Sequence, residues 1–204
     1  YFQLQSEQTL NDVTEEIQVR SSLSNSSNHL RTARINMIHA GAASRVAEMD
    51  LMKTNVADAE KRLKQAQDGF NQYMDRKVKT PADVALDGEL KTRFTAYIDG
   101  LQPMLKFAKN GMFEAIINHE DEVARQLDSD YNDILLKAIE IRTARAQQLS
   151  VDAHNRTQFS LMVMGGAFAV ALVLSLLTFV ALRRTVITPL QHHKGRSEEH
   201  TSEL

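Results

Sequence analysis

The residues best suited to chemistry in this chain are arginines on one face of its first predicted helix. That face is apolar at Leu10, Val13 and Ile17 and again at Ile38. The positions between them in the same register are polar and basic: Arg20, Ser24, Ser27, Arg31 and Arg34. A guanidinium carries five N–H donors in a planar fork that fits a carboxylate. Two interpretations stay open: a solvated helix face, or a pocket between two copies of the helix, paired across a twofold axis, for a carboxylate or another oxygen-rich ligand.

Histidine and cysteine give no support for catalysis or for a metal centre. The seven histidines, at positions 29, 39, 119, 154, 192, 193 and 200, include no pair four residues apart and no HExxH motif. Cysteine is absent, which excludes disulfides, thiolate metal sites and cysteine nucleophiles. We therefore expect no enzymatic activity, no catalytic residue, no metal and no cofactor.

Charge and composition exclude one class of protein and favour one class of fold. The 24 Lys and Arg residues nearly balance the 26 Asp and Glu residues, for a formal charge of −2. A nucleic-acid-binding domain usually carries a clear basic excess, so we expect no nucleic-acid partner. Only 8 Gly and 3 Pro occur in 204 residues. So few helix breakers favour long helices over a sheet with many turns.

Apolar residues three and four apart predict an all-α domain, an antiparallel bundle of four helices. The first helix runs from about Leu4 to His39. Its core seam consists of Leu23, Leu30, Ala33, Met37 and Ala40. The second helix covers residues 48–74. Its seam consists of Met49, Met52, Val56, Ala59, Leu63, Ala66, Phe70 and Tyr73. Narrow seams of this kind are typical of helix bundles.

Capping residues and breakers set the limits of the third helix. Thr80 suits the N-cap, Pro81 the first helical position and Asp83 the first turn. The seam consists of Leu90, Phe94, Tyr97, Leu101, Met104 and Ala108. We expect a bend at Pro103, which removes one backbone hydrogen bond, and an end at Asn110-Gly111.

The fourth helix is expected to begin at Asn118, after a short apolar link over residues 112–117. Asn118 suits an N-cap, and the acidic residues 120–122 complement the positive end of the helix dipole. The predicted seam consists of Leu127, Tyr131, Ile134, Ala138 and Ile141. We expect this helix to continue without interruption into the apolar segment that follows.

One apolar segment decides the predicted topology. Residues 159–182 contain no charged side chain, and a helix of that length spans roughly 36 Å, enough to cross a ~30 Å hydrocarbon core. The alternative is a buried core helix, which normally shows a polar stripe. Arg183, Arg184 and Lys194 follow the segment. By the positive-inside rule they lie in the cytoplasm, which places residues 1–158 in the periplasm and the segment in membrane lipid.

Both ends of the chain raise separate expectations. An exported domain needs an N-terminal signal, so we expect a second membrane helix to precede Tyr1 in the native protein. Residues 196–204 read RSEEHTSEL, which is what one frame of a common sequencing-library adapter encodes. We interpret these nine residues as a non-native tail.

Several strings carry a family resemblance. RRTVITPL (183–190) looks like the opening of a HAMP linker, which would cover residues 183–195. RTARINMIHAGAASRVAEMDLMKTN (31–55), VKTPAD (78–83) and YIDGLQPMLKFAKNGMFEAIINHE (97–120) resemble methyl-accepting chemotaxis proteins of enteric bacteria, in particular their ribose and galactose receptors. The resemblance implies a homodimer whose sensor bundle signals across the inner membrane. It also implies a kinase and a coupling protein as partners of a further cytoplasmic part.

The resemblance also implies candidate ligand-binding residues. In amino-acid-sensing relatives, first-helix arginines bind the ligand carboxylate across the dimer interface. Arg34 stands at the first of those positions, His39 at the second and Ala43 near the third. Arg31 lies one turn before Arg34, and Asn118 lies near the polar fourth-helix position that completes such pockets. Because two of the three basic anchors are replaced, direct binding of an amino acid is not the first expectation.

The sugar receptors instead imply docking of ligand-loaded periplasmic binding proteins, for ribose and for glucose or galactose, at the end of the bundle far from the membrane. Here that end is expected at the turn around Gly41, Ser44, Arg45 and Glu48, and at the link around Asn110, Gly111 and Phe113. Arg45 and Glu48 beside Phe113 would form a small mixed docking patch. Ordinary loop chemistry is the alternative for these residues. For the whole chain, the alternatives are the sensor of a membrane histidine kinase, a chemoreceptor that binds a small anion directly, and a passive membrane-anchored coiled coil.

Overall fold

The computed structural model describes residues 2–182, and all regular secondary structure in that range is helical. The order is α1 (Phe2–Arg45), α2 (Met49–Met74), α3 (Pro81–Lys109), α4 (Phe113–His119), a π-helical turn (Glu120–Ala124) and α5 (Arg125–Leu182). The last three elements follow one another without a break, so together they form the fourth helix. The predicted all-α fold, an antiparallel bundle of four helices, is confirmed.

The core consists of the apolar seams that the spacing predicts. All predicted seam residues of α1 and α3 are buried. In α2 the prediction is wrong only for Met49, which is exposed because it lies in the first turn of the helix. The rings of Phe70 and Phe94 stack with their centroids 3.9 Å apart, and Tyr131 from α5 meets Phe94 edge-on at 5.6 Å. Three helices therefore meet in one aromatic layer.

The fourth helix follows its predicted seam only in part. Its buried apolar residues include Tyr131, Ile134, Leu135 and Ala138. Leu127 and Ile141 are only partly buried, because the buried face continues through Arg142 instead. Arg142 is therefore buried where the apolar pattern predicted Ile141.

The predicted limits of α3 are confirmed. Thr80 is the N-cap and Pro81 the first helical residue, and a capping box joins Thr80 and Asp83. The Asp83 amide donates to the Thr80 hydroxyl at 3.4 Å, and the Thr80 amide donates to the Asp83 carboxylate at 3.0 Å. At the other end, Asn110 is the C-cap and Gly111 has a φ of +63°. α3 runs through Pro103 without ending, and the bend expected there stays a prediction.

Two predicted boundaries are wrong. α4 begins at Phe113 with Met112 as its N-cap, so residues 113–117 are not a link and Asn118 is not an N-cap. The apolar run in this stretch is the inner face of a helix, since Ile116 is fully buried. α1 continues to Arg45 rather than ending at His39, so Gly41 and Ser44 are helical and the chain turns over residues 46–48.

Contacts divide the chain into two compact units, Tyr1–Val151 and Asp152–Leu204. The first contains the bundle core. The second contains the described end of α5, where large apolar side chains such as Phe168 and Leu176 are exposed. Among the described residues, one helix is long and apolar enough to cross a membrane, and none of its most apolar stretch is buried. The predicted HAMP start (183–195) and non-native tail (196–204) lie outside the described residues.

Candidate functional site

An arginine network joins α1 to α3 and to the fourth helix. Its members are Arg31, Arg34, Tyr97, Glu120, Asp128 and Asn132. Arg34 donates from Nε to Glu120 Oε2 at 3.0 Å, from Nη2 to the other oxygen of the same carboxylate, and from Nη1 to the Tyr97 hydroxyl at 2.9 Å. Only 12% of its side chain is exposed. The interpretation of this stripe as a solvated face is therefore wrong for Arg34.

Arg31 completes the network one turn earlier on α1. Its Nε donates to Asp128 Oδ1 at 2.9 Å and its Nη2 to Asn132 Oδ1 at 3.0 Å. The Tyr97 hydroxyl also donates to Asp128, at 3.0 Å. Both arginines thus find their acceptors within the chain.

Two groups of this network, Arg34 and Tyr97, have shifted pKa values. Burial alone would lower the pKa of Arg34, but the hydrogen bonds to Glu120 and Tyr97 raise it above its usual range. Burial raises the pKa of the Tyr97 hydroxyl, with the neighbouring Asp128 carboxylate acting in the same direction. Arg34 therefore stays charged, and Tyr97 stays a neutral hydroxyl that donates to Asp128.

Two other residues predicted for a ligand site lie outside this network. His39 and Asn118 are both exposed. Within residues 2–182, no hydrogen bond connects either of them to the arginine network. The structure thus brings Arg31 and Arg34 together and leaves His39 and Asn118 on the surface.

The two turns predicted for docking lie side by side. Arg45, at the end of α1, places its guanidinium carbon 5.0 Å from the centre of the Phe113 ring and donates to Glu114 at 3.3 Å. A Cβ on Gly111 would lie 2.1 Å from the Ser44 hydroxyl oxygen, so only glycine allows this approach. The end of α1 and the start of α4 are therefore in direct contact.

These turns form an exposed surface of mixed character, which we call the turn surface. It consists of Arg45, Val46, Glu48, Met49, Met112 and Phe113. Val46 is 66% exposed, and Met49 and Met112 are each about half exposed. Arg45 and Glu48 are exposed as well. Apolar side chains flanked by opposite charges are the composition expected of a small protein-docking patch.

A second charged cluster, at the opposite end of the bundle, was missed by the sequence analysis. This ion cluster consists of Glu16, Arg76, Asp83, Asp87, Arg142 and Arg145. Arg142 is 1% exposed and lies 3.0 Å from Glu16 and 2.7 Å from Asp83. Arg76 lies 3.0 Å from Asp83 and 2.8 Å from Asp87. Lys79, at the edge of the cluster, lies 3.9 Å from Asp87. The buried ion pairs of the cluster therefore join α1, α3 and α5 to one another.

The sequence did contain a signal for the ion cluster. Glu16 precedes the α1 seam residue Leu23 by seven positions, and Arg142 follows the seam residue Ala138 by four. Each charge therefore continues an apolar seam on the inner face of its helix. Opposite charges at the ends of two inner faces predict a buried pair.

A comparison with known families identifies the bundle. A family model described as the Tar ligand binding domain homologue matches residues 1–146. The chain belongs to this family. The match contains the arginine network, the turn surface and the ion cluster, whereas the apolar end of α5 lies beyond it. Residues 1–146 therefore form a chemoreceptor sensor domain, and with the candidate membrane helix they fit a protein of the inner membrane.

The described part of this sensor domain offers one exposed surface suited to binding, the turn surface. The part of the chain that the structure describes holds no group of three or more His, Asp or Glu side chains arranged for a metal ion. The surfaces that remain open for recognition include the turn surface, because the arginines suited to a small anion already have partners.

Proposed function

We propose that this chain is the sensor and membrane-crossing part of a chemoreceptor that responds to ribose and to glucose or galactose. It would do so by docking the sugar-loaded periplasmic binding proteins, with no enzymatic step. One observation carries the proposal: the turn surface is open, whereas Arg31 and Arg34 are engaged within the chain. The strings that resemble the sugar receptors include both turns of this surface.

The composition of the turn surface suits a protein partner. Val46, Met49 and Met112 expose apolar surface to water. A partner that covers this surface removes it from water, which favours binding. Arg45 already lies over the Phe113 ring, so its guanidinium is held in place before docking. A held side chain loses less conformational freedom on binding than a free one.

The fourth helix gives a physical route for the signal. Phe113 and Glu114, which contact Arg45, open a helical run that ends at Leu182 in the apolar segment. A partner shifts the receptor between two arrangements only by binding them with different affinity. A hydrogen-bonded helix then carries a small displacement along its length. We place this receptor as a homodimer in the inner membrane, with residues 1–158 in the periplasm and a kinase and coupling protein acting on a further cytoplasmic part.

Capture of a purified binding protein tests the proposal. The full chain in lipid nanodiscs is immobilised, and ribose-binding protein is added with and without ribose. We expect capture of the loaded form and little of the empty form. Arg45→Glu places a negative charge over the Phe113 ring and beside Glu114, so we expect at least a tenfold loss of affinity, about 1.4 kcal/mol or more. Lys61→Glu, an equal charge change at an exposed position of α2, is the matched control.

The outcomes separate the proposal from its alternatives. Equal, negligible capture of both forms, for ribose-binding protein and for glucose/galactose-binding protein alike, would contradict the proposed partners. Normal capture by Arg45→Glu would remove that residue from the docking surface. The same loss in Lys61→Glu would show a general charge effect.

A further inference from the structure

Three of the N–H donors of the Arg34 guanidinium are hydrogen-bonded within the chain. A guanidinium has five N–H bonds. Nε and Nη2 donate side by side to the two oxygens of Glu120, which is the bidentate arrangement that an external carboxylate would adopt. Nη1 donates to the Tyr97 hydroxyl and lies 3.5 Å from Asp128. The fork that recognises a carboxylate is already occupied by one.

The charges around Arg34 are balanced as well. Arg31 and Arg34 bring two positive charges, and Glu120 and Asp128 bring two negative ones. Two unpaired arginines would attract an anion through an uncompensated charge of +2. In the network this attraction is cancelled, so a free carboxylate must displace Glu120 to bind.

The π-helical turn explains how Glu120 reaches this position. In a regular α-helix, residues eight apart differ by roughly 80° around the axis, since each residue turns about 100°. The π turn at Glu120–Ala124 takes up one additional residue. Glu120 and Asp128 are then related as two residues seven positions apart in a regular α-helix. Their directions around the helix axis differ by only roughly 20°. Both carboxylates therefore face Arg34 from the same side of the helix.

We infer that Glu120 is a built-in competitor that closes Arg34 to free carboxylate ligands. It determines specificity by occupying the anion site from within the chain, and the π turn is what delivers it. The inference concerns small-molecule exclusion and stands independently of the proposed docking partners. Removal of the Glu120 carboxylate should convert Arg34 into a site for a small carboxylate.

Chemical rescue tests this inference, with acetate as the probe. Glu120→Ala removes a group about the size of acetate and leaves Arg34, in a largely buried position, without its bidentate partner while Tyr97 and Asp128 stay in place. We expect acetate to raise the Tm of this variant, in the full chain in nanodiscs, by about 2–4 °C relative to an equal concentration of chloride. Wild type should show no such difference. Glu122→Ala, an exposed position in the same π turn, is the matched control.

A second variant links the effect to Arg34. Adding Arg34→Ala to Glu120→Ala should abolish the acetate response. If Glu120→Ala folds poorly, the recovery of helical circular dichroism in acetate but not in chloride is read instead. The inference is overturned if acetate stabilises wild type and Glu120→Ala equally. It is also overturned if acetate neither raises the Tm of Glu120→Ala nor restores its helical circular dichroism. A response that survives Arg34→Ala overturns it too.

Discussion

The guanidinium of Arg142 and the carboxylate of Glu16 lie 3.0 Å apart in the protein interior, although 126 positions separate them in the chain. Arg142 also donates to the Val78 carbonyl at 3.0 Å and contacts Asp83 at 2.7 Å. One side chain therefore connects α5 to α1, to the α2–α3 loop and to the start of α3. This fixes the position of α5 along its neighbours at that end of the bundle.

Removal of Arg142 should destabilise the sensor domain strongly. Arg142→Met keeps most of the side-chain volume but removes the buried cation shared by Glu16 and Asp83. Glu16 then keeps only the partly exposed Arg145, at 3.2 Å, and Asp83 keeps only Arg76. Breaking one side of a buried ion pair typically costs about 3–5 kcal/mol. The loss is measured as a change in the free energy of unfolding, by urea denaturation followed by circular dichroism.

The control for this prediction is the same substitution in an exposed pair. Arg125, 70% exposed, pairs with Asp121 one turn earlier on the same helix. Arg125→Met should therefore cost no more than about 1 kcal/mol. Similar losses for Arg125→Met and Arg142→Met would show that the ion cluster contributes no special stability.

Acid should weaken the same end of the bundle through Asp83. Burial alone would raise the pKa of Asp83, but hydrogen bonds from the Thr80 amide and Arg76, with the charge of Arg142, hold it below its usual value of 3.8. The folded protein thus binds this proton less tightly than the unfolded chain. The stabilisation is fully present above about pH 4 and is lost as the pH falls through the pKa of the folded state.

Asp83→Asn tests this pH dependence. The variant has no carboxylate to protonate, so its stability should be lower at pH 7 and should fall less between pH 5 and pH 2 than that of wild type. Asp68→Asn, at an exposed position of α2, is the control. Unfolding midpoints in urea across this pH range provide the measurement. Parallel pH profiles for wild type and Asp83→Asn would contradict the assignment.

Features that depend on neighbouring residues could be predicted from the sequence, whereas contacts between distant residues could not. The seams of α2 and α3 and the Thr80–Asp83 capping box were predictable, because each depends on residues within one or two turns. The Glu16–Arg142 pair depends on two residues whose helices meet only in the folded bundle. In the sequence, Glu16 and Arg142 each look like an ordinary exposed charge. Only a comparison of the inner faces of α1 and α5 shows that the two residues can pair.

The fourth helix shows a different limit of sequence reasoning. The apolar run before Asn118 resembles a link, because only the packing of Ile116 against α1 reveals it as a helix face. The π turn leaves no composition signal, so the approach of Glu120 to Arg34 could not be foreseen. The arginines were identified correctly as the polar feature of α1, but their acceptors are in the same chain.

Gly111 should be intolerant of a side chain. Its φ of +63° is left-handed, which costs an L-residue about 1–2 kcal/mol. A Cβ would also meet the Ser44 hydroxyl oxygen at 2.1 Å. We expect Gly111→Ala to lower the free energy of unfolding by at least this amount. Adding Ser44→Ala should recover only the part due to the close contact.

Gly88 provides a control of opposite sign. It is exposed in the interior of α3, and a Cβ there would meet no atom within 4 Å. Gly88→Ala should therefore stabilise the domain by about 0.5–1 kcal/mol, since alanine favours a helix more than glycine does. If Gly111→Ala were equally stabilising, the geometry assigned to this turn would be wrong.

The proposed membrane topology can be tested directly because the chain contains no cysteine. Single substitutions then give unique labels: Lys61→Cys at an exposed position of α2, Leu172→Cys in the apolar segment and Lys194→Cys beyond it. In intact spheroplasts, a membrane-impermeant maleimide should label the first and not the third, which should react only after lysis. Leu172→Cys should resist labelling in both cases and react in denaturing detergent, because lipid excludes the water that forms the reactive thiolate.

Labelling of Lys61→Cys and Lys194→Cys from the same side would mean that the uncharged segment does not cross the bilayer. A shift at the turn surface would then have no route into the cell through this helix.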